Sequence, residues 1–406
     1  MKLDRSLCLA VAREFGSPTY LYFAEQIIQN FKAYEAGFKN YPHQICYAVK
    51  ANSNLSILKL LAEQGSGFDI VSVGELKRVL AAGGDPKKIV YSGVGKSKDD
   101  LEFALNAGIG CFNIESLAEV TMLHDVAKKL GVIAPVSLRI NPNVDAKTHP
   151  YISTGLKENK FGIQMDDAEA MYETMAAMPH LAIHGIDFHI GSQLTEIAPY
   201  EEALDLTLAM IDRLRAKGIT LKHLDIGGGL GIRYEDETLI DPAVWLQMAI
   251  AKIGERNLTL YIEPGRSIVG DAGILLTEVI LTKENEGKHF AVVNAAMNDL
   301  IRPALYDAWM NIVNLSEHDD APTENYDIVG PICETGDFLG KNRPLALKAG
   351  DILAVTHAGA YGFTMASNYN SRGRAAEVMI ENGRARLIRE RETIESLYAN
   401  EIHLLD

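Results

Sequence analysis

The sequence predicts an α/β protein in which a (β/α)8 TIM barrel is followed by a β-rich, sandwich- or barrel-like C-terminal domain. Up to Arg266, eight short apolar runs typical of buried strands alternate with amphipathic helical stretches. That alternation favours a closed barrel over an open doubly wound sheet. After Arg266 the runs stay β-like, with few long helices between them, which indicates a second domain.

The predicted elements follow one another along the chain with short connections. The strand candidates are Ile45–Lys50, Gly67–Ser72, Lys88–Gly93, Cys111–Glu115, Pro135–Ile140, Ile183–Ile190, Leu221–Ile226 and Leu258–Glu263. The helical stretches are Asn54–Gln64, Gly74–Ala82, Ser97–Asn106, Ser116–Leu130, Asp167–Ala177, Pro199–Ala216 and Asp241–Gly254. We therefore predict a barrel over residues 27–266. Residues 1–26, with a strand at Pro18–Tyr22, join residues 267–406 in the β-rich domain.

Composition excludes several classes of function. The 406 residues carry a formal charge of −15, which argues against nucleic acid as a partner because phosphate binding needs a basic face. No apolar run reaches the ~18 residues of a membrane span, and the N-terminus lacks a signal peptide's apolar core. Four scattered cysteines without metal-ligand spacing predict a reducing cytoplasm and no metal site.

Polar residues recur where the predicted strands end. They are Lys50, Asp69, Ser92, Glu115, Arg139, His189, Gly227 and Glu263. In a (β/α)8 barrel, chemistry collects at the carboxyl ends of the strands, so this recurrence predicts a site there. A long polar segment, Asn141–Ile163, follows the fifth strand and is expected to be a functional loop or a disordered one.

The segment Tyr47–Asn52 (YAVKAN) carries the most specific signal, because it ends a strand in a lysine. A lysine amine in a dry pocket loses proton affinity and becomes a nucleophile toward aldehydes. The alternative is a lysine that caps the strand and reaches water with its amine.

Three further motifs follow later strands. Asp225–Gly231 (DIGGGLG) exposes backbone N–H groups that bind anions, although a tight turn is the alternative. Glu263–Arg266 (EPGR) supplies a carboxylate suited to a pyridine nitrogen, or else a Glu–Arg ion pair. His189–Ser192 (HIGS) offers an imidazole for stacking and a hydroxyl for phosphate, or else a core histidine.

The β-rich part holds three more candidates. Cys333 beside Glu334 pairs a thiol proton donor with a carboxylate for an amine, although an isolated cysteine is more often a small buried hydrophobe. Gly359–Asn370 is an aromatic and polar segment, either a binding loop or a turn between core strands. Arg302 and Tyr306 are four residues apart on one helical face, which suits a carboxylate clamp or a surface helix.

Together these segments resemble the fold-type III PLP-dependent decarboxylases, and among them the diaminopimelate decarboxylase family, over nearly the whole chain. The segments that support the resemblance are Tyr47–Asn52, Phe68–Ser72, Arg139–Ile163, His189–Ser192, Gly227–Gly229, Glu263–Arg266, Cys333–Leu339 and Ala360–Asn370. Two small departures, Val73 and Gly373, touch no expected catalytic atom.

The resemblance implies pyridoxal 5'-phosphate as cofactor and a role for each matching residue. Lys50 is similar to the lysine that bonds the cofactor aldehyde, His189 to the residue stacked on the ring, and Glu263 to the partner of the ring nitrogen. The implied cofactor contacts are Lys50, Asp69, Arg139, His189, Ser192, Gly228, Gly229, Glu263, Gly265, Arg266 and Tyr361. The implied substrate contacts are Arg266, Arg302, Tyr306, Glu334 and Tyr361. Cys333 resembles a proton donor that reaches into the partner's site of a homodimer.

The implied reaction is decarboxylation of meso-2,6-diaminopimelate to L-lysine and CO₂, the last step of lysine biosynthesis. Ornithine- or arginine-type decarboxylases of this fold are the nearest alternative. Their substrates lack the second carboxylate that Arg302 and Tyr306 would bind. A racemase would fit an arginine better than Glu263 at the ring nitrogen. A non-catalytic PLP-binding protein needs neither a second domain nor Cys333.

Overall fold

The computed structural model describes residues 3–145, 160–316, 318 and 322–405. The chain forms two compact units. The barrel unit comprises Ile28–Ile232 and Thr238–Ser267. The strand-rich unit comprises Met1–Ile27, Arg233–Glu237 and Ile268–Asp406.

Strand β1 (Thr19–Phe23) lies in the strand-rich unit, and the barrel begins with the next strand. The barrel strands are β2 (His43–Ala48), β3 (Gly67–Ile70), β4 (Ile89–Tyr91), β5 (Cys111–Ile114), β6 (Ala134–Asn141), β8 (Leu181–Phe188), β9 (His223–Asp225) and β10 (Thr259–Ile262). Each pairs in parallel with its neighbour, and β10 returns to β2, so the ring is closed. The predicted eight-stranded barrel is confirmed.

A two-residue strand, β7 (Ile163–Gln164), pairs with the end of β6. It follows the predicted long loop Asn141–Ile163, of which residues 146–159 lie outside the described part of the chain.

Helices connect the barrel strands. They are α3 (Leu55–Glu63), α4 (Val73–Ala81), α5 (Lys98–Ala107), α6 (Leu117–Leu130), α7 (Met165–Ala176), α8 (Ala198–Ala216) and α9 (Pro242–Ile253). Helix α2 (Ala24–Phe38) precedes β2, and the short helix α10 (Arg266–Val269) follows β10. The seven predicted helices, α3 to α9, begin and end within two residues of their expected positions.

Capping residues explain why the helix starts were predictable. Asn54, Ser72, Ser97 and Ser116 each accept a backbone N–H of the first turn with their side chains. Ser97 also forms a reciprocal capping box with Asp100. A cap of this kind is worth ~1 kcal/mol, and it lets a helix begin directly after a barrel strand.

The barrel interior changes from apolar to polar along the strands. On β5, alternate residues put Cys111, Asn113 and then Glu115 on one face. Cys111 packs with Cys46 and Val90 against Tyr261. Toward the carboxyl ends of the strands, the inward-facing residues are polar, as Asn113 is on β5 and Glu115 is just after it.

The strands of the strand-rich unit after β1 are β11 (Gly273–Asn285), β12 (Lys288–Val293), β13 (Ile312–Asn314), β14 (Thr323–Val329), β15 (Phe338–Ala346), β16 (Ile352–Val355), β17 (Ala376–Glu381) and β18 (Arg384–Arg389). They form one sheet in the order β15-β14-β12-β11-β1-β17-β18, in which β16 pairs with β11 and β13 pairs with β16. Its helices are α1 (Arg5–Phe15), α11 (Arg302–Tyr306) and α12 (Ile394–Tyr398).

The predicted N-terminal strand is confirmed as β1, antiparallel to β11 and parallel to β17. Its Leu21 packs with Ile274, Leu276 and Val378 in an apolar core that α1 covers with Cys8 and Val11. No helix among the described residues is both long and apolar enough to cross a membrane.

Candidate active site

Lys50 lies just beyond β2, in a single 3₁₀ turn formed by Val49–Ala51. The predicted strand was therefore two residues too long, because Ala48 N–H donates to the Pro264 carbonyl and the ladder ends there. Lys50 Nζ donates to Asp69 Oδ2 at 2.6 Å. Asp69 is fully buried, while 40 % of the lysine side chain is exposed. The amine is thus fixed by a buried carboxylate and remains reachable from solvent.

Glu263 follows β10 directly, and its carboxylate is buried. Oε1 accepts hydrogen bonds from Asn113 Nδ2 at 3.3 Å and Ser92 Oγ at 3.4 Å. Asn113 also donates to the Ser92 hydroxyl at 3.1 Å, so the three side chains form one network. Burial and nearby carboxylates, Asp225 foremost, hold the pKa of Glu263 well above its usual range.

The glycine run after β9 is pressed against its neighbours. A Cβ on Gly228 would lie 2.1 Å from the Glu263 carbonyl oxygen, and one on Gly229 would lie 2.2 Å from the Gly191 carbonyl oxygen. Gly229 also has a φ of +95°. Only glycine can approach other backbone so closely. The run therefore packs the end of β9 directly against the segments that follow β8 and β10, which an ordinary turn would not do.

His189 stands one residue beyond β8 and is half-buried. Its Nδ1 accepts the Gly228 N–H at 3.4 Å, which assigns the ring proton to Nε2. Burial, helped by the positive charges of Arg139 and Lys50, keeps the pKa of His189 well below its usual range. The ring is therefore neutral at pH 7 and can lie flat on an aromatic group without adding charge.

Ser192, Gly265 and Arg266 lie beside this glycine run. Arg266 is buried, and its Nη2 donates to Ser192 Oγ at 3.1 Å. A Cβ on Gly265 would meet the Cβ atoms of Ala48 and Ala51 at 3.0 Å, so this segment packs against the turn that carries Lys50. A hydroxyl, a guanidinium and backbone N–H groups together suit a phosphate.

Arg139, on β6, is engaged with carboxylates. Its Nη1 lies 3.3 Å from Glu115 Oε1, and its Nε lies 4.0 Å from Asp187 Oδ2. Glu115 also accepts the backbone N–H groups of Gly93 and Gly162, each at 2.9 Å. The carboxylates of Glu115 and Asp187 therefore hold the Arg139 guanidinium among the strand-end residues.

Sequence reasoning missed the roles of Asn113 and Asp187, and it read Asp225 only as the start of a glycine motif. All three are buried. Each belongs to a series of every second residue along its strand that faces the barrel interior, as Cys111 and Asn113 do on β5 and Glu115 does just after it. That period of two was the available signal.

The remaining predicted residues lie in the strand-rich unit. The Arg302 guanidinium carbon is 5.7 Å from the Tyr306 ring centroid and 5.1 Å from that of Tyr234, so the two predicted clamp residues do meet. Cys333 and Glu334 are exposed. Tyr369 OH donates to Glu334 Oε2 at 2.9 Å.

The predicted binding loop is conformationally unusual. Tyr361 and Asn370 adopt φ values of +55° and +57°, in the left-handed region that L-residues rarely adopt. Asn370 Oδ1 accepts the Cys333 N–H at 3.0 Å. Strained backbone of this kind clusters at functional sites, and here it adjoins the exposed thiol.

Comparison with known proteins assigns the chain to a family. The family described as "Pyridoxal-dependent decarboxylase, pyridoxal binding domain" matches residues 24–270. A diaminopimelate decarboxylase of Pseudomonas aeruginosa is 57 % identical over 391 residues, which cover 96 % of this chain and 94 % of the relative. This chain belongs to the diaminopimelate decarboxylase family. A solved diaminopimelate decarboxylase of Helicobacter pylori, complexed with L-lysine, is 44 % identical with a TM-score of 0.94, covering 98 % of this chain and all of that one.

A more distant structure, an SrLDC mutant in complex with PLP, is 25 % identical with a TM-score of 0.84, covering 94 % of this chain and 96 % of that one. The residues of this decarboxylase fit PLP in their own right. An amine, a buried carboxylate, a neutral imidazole and a glycine cradle converge within one barrel unit. Each suits one part of the cofactor: aldehyde, ring nitrogen, ring face and phosphate.

Proposed function

We propose that this enzyme removes one carboxyl group from meso-2,6-diaminopimelate, with PLP as cofactor, and releases L-lysine and CO₂. The reaction is that of a carboxy-lyase and ends lysine biosynthesis. The observation that carries the proposal is the convergence of Lys50, paired with Asp69, and Glu263 at the strand ends of a barrel from this family. The centre that reacts is proposed to be the D centre, as the family resemblance implies.

PLP, when bound, supplies an electron-poor ring that accepts the electron pair left by the departing carboxylate. Lys50 would hold the cofactor, and Asp69, which accepts a hydrogen bond from the Lys50 amine, would orient that amine. Asn113 and Ser92 hold the Glu263 carboxylate in place, and Glu263 would face the ring nitrogen. His189 would cover a ring face as a neutral group, so it would not compete with the ring for protons.

The phosphate is proposed to lie among Gly228, Gly229, Gly265, Ser192 and Arg266. The close approach of the glycine run to the ends of β8 and β10 supports this assignment, as does the hydrogen bond between Arg266 and Ser192. Arg139 and Tyr361 complete the proposed cofactor contacts.

Substrate recognition is proposed to rest on opposite charges at the two ends of a diamino dicarboxylic acid. Arg302, stacked on Tyr306 and Tyr234, would bind a carboxylate with a guanidinium that aromatic rings keep in place. Arg266 would contact the other carboxylate, and Glu334 the distal amine. Ornithine and arginine lack the distal carboxylate that Arg302 would bind.

Reprotonation is proposed to come from Cys333 of a second copy in a homodimer. The thiol is free and exposed in the single chain, which is consistent with a group that acts on a neighbouring subunit. Cys8, Cys46 and Cys111 are free as well. A chain whose cysteines stay reduced supports a cytoplasmic location.

The proposed reaction is tested with purified PLP-loaded protein, meso-diaminopimelate, L-ornithine and L-arginine, with CO₂ and product measured. We expect turnover of diaminopimelate to L-lysine and a Lys50→Ala variant without turnover. Turnover of ornithine or arginine but not of diaminopimelate would overturn the substrate assignment. Arg302→Met should raise KM for diaminopimelate, whereas Arg233→Met, outside the proposed contacts, should not.

The shared site is tested by mixing subunits. Lys50→Ala and Cys333→Ala are each expected to be nearly inactive, yet an exchanged mixture should recover about a quarter of wild-type activity, because half the dimers then hold one intact site. Size-exclusion chromatography of differently tagged chains verifies the exchange. A mixture that exchanges subunits and stays inactive would mean that each site is built within one chain.

A further inference from the structure

Three buried carboxylates, Asp187, Asp225 and Glu263, form a cluster that the proposed reaction does not fully use; we call it the carboxylate triad. Oxygens of all three lie within 4.8 Å of one another. Asp187 and Asp225 are register partners on β8 and β9, and Glu263 follows β10. The triad therefore occupies one side of the barrel interior, at the carboxyl ends of three neighbouring strands.

The hydrogen bonds inside the triad are incomplete. Asp187 Oδ1 and Asp225 Oδ2 are buried and receive no hydrogen bond from the described residues. The two side chains are at most 1 % exposed. Buried polar oxygens are normally satisfied, and three negative charges this close would repel one another strongly in a low-dielectric interior. A proton shared within the triad relieves both problems.

The surrounding charges do not neutralise the cluster. Of the described residues, Lys50 and Arg139 are the cations that lower the pKa values of its members, and the neighbouring acidic or weakly acidic groups are Asp69, Glu115, Cys46, Cys111, Tyr172 and Tyr261. Lys50 is paired with Asp69, and Arg139 with Glu115. The triad thus remains short of positive charge.

The contacts indicate which member carries the proton. Asp225 Oδ1 accepts the Gly227 N–H at 2.8 Å, and Asp187 lies 4.0 Å from the Arg139 guanidinium, so both ionised forms are stabilised. The donors to Glu263 within the described part of the chain are the neutral side chains of Asn113, at 3.3 Å, and Ser92, at 3.4 Å. Burial raises the pKa of Asp225 to about 7 and raises the pKa values of both Asp187 and Glu263 well above their usual ranges. The proton is therefore assigned to Glu263 rather than Asp187 on the contacts, because only Asp187 has a guanidinium beside it.

We propose that the triad stores one proton in the cofactor-free chain, carried by Glu263, and that this proton passes to the pyridine nitrogen when PLP binds. The O–H bond of Glu263 breaks and leaves its electron pair on the carboxylate, and the nitrogen lone pair forms the new N–H bond. Asp225 and Asp187 are positioning residues, because their negative charges keep the proton on Glu263 until the ring arrives.

The first test uses the cofactor-free chain and does not depend on the proposed function. Infrared spectra over a pH series should show the carbonyl stretch of a protonated carboxyl at about pH 8, well above the ordinary titration of a glutamate. The band should be absent in Glu263→Gln and should disappear at lower pH in Asp225→Asn. Asparagine keeps the oxygen that Gly227 contacts. If Asp225→Asn fails to fold, Asp187→Asn provides the same comparison.

The second test rests on the proposed function, since it requires PLP binding. Calorimetric titration with PLP in buffers of different ionisation enthalpy gives the number of protons taken up. When PLP binds at about pH 8, the Asp225→Asn variant should take up more protons than the wild type, by at most about one per chain. The reason is that Glu263 of this variant has already lost its proton before PLP binds. Glu377→Gln, a buried carboxyl of the strand-rich unit, should match the wild type.

Three results would overturn the proposal. One is a wild-type spectrum without the band, another is equal proton uptake by the wild type and Asp225→Asn, and the third is a metal ion in the cofactor-free chain that Asp225→Asn loses. Failure of PLP to bind would instead count against the proposed function, because the infrared test would still report the stored proton.

Discussion

The substitution Gly228→Ala tests whether the glycine run is pressed against the end of β10. The added Cβ would lie 2.1 Å from the Glu263 carbonyl oxygen and 2.7 Å from its carbon, well inside the 3.4 Å at which ordinary contact begins. Because the obstacle is backbone, it cannot rotate away. Glu263 N–H also donates to the Gly227 carbonyl at 2.8 Å, so both segments must shift together.

The expected cost follows from that overlap. Overpacking costs about 1–3 kcal/mol, and a backbone obstacle argues for the upper end. Replacing glycine with alanine also reduces the conformational entropy of the unfolded chain, which offsets about 0.4–1 kcal/mol of that loss in unfolding free energy. The net loss of unfolding free energy should be about 2 kcal/mol. Displacement of Glu263 should also weaken PLP binding about tenfold, the equivalent of about 1.4 kcal/mol.

Gly231→Ala is the matched control. It lies in the same loop, and neither glycine has a φ in the left-handed region. Its Cβ would meet only the Gln193 side chain, at 3.1 Å and beyond, so the unfolding free energy should change by less than about 0.5 kcal/mol. Urea unfolding of the cofactor-free protein and absorbance titration with PLP measure the two effects. Equal midpoints and equal PLP affinities for both variants would refute the close approach.

Two further predictions concern ionisable side chains of the barrel unit. Lys96 is 1 % exposed and donates to Glu119 at 2.6 Å, so Lys96→Met should lower the unfolding free energy by about 3–5 kcal/mol, measured by urea unfolding. Lys129→Met, at a surface ion pair, should cost less than about 1 kcal/mol, and similar losses in the two variants would contradict the buried pairing. Burial raises the pKa of Glu75 to about 7, so its contribution to stability is full below about pH 4.3 and is lost as the pH rises through 7. Between about pH 5 and pH 8, Glu75→Gln should therefore lose less unfolding free energy than the wild type, and equal losses would contradict the shift.

Most barrel elements could be predicted because each depends on local sequence. Buried strands appear as short apolar runs, and the helices that follow begin at capping residues such as Ser72, Ser97 and Ser116. Helix α2 was missed. It starts at Ala24 directly after β1, so no capping residue marks its beginning.

The same local signals located part of the site. A lysine at a strand end, a glycine run after a strand and the segment Glu263–Arg266 are visible in the sequence, and the barrel rule predicts that strand ends meet. The i, i+4 spacing of Arg302 and Tyr306 likewise predicted their contact, which occurs in α11.

Only the tertiary structure revealed how these residues are paired. The sequence analysis named Asp69 as a polar strand end and an implied cofactor contact, but only the structure shows its carboxylate 2.6 Å from the Lys50 amine. Asn113 reaches Glu263 across 150 positions of sequence. Asp187 and Asp225 lie on β8 and β9 and Glu263 follows β10, and no local pattern in the sequence shows that the three carboxylates lie within 4.8 Å of one another. Their closeness arises because closing the barrel brings inward-facing positions of separate strands into one layer, so charge, burial and proton affinity there are properties of the ring of strands as a whole.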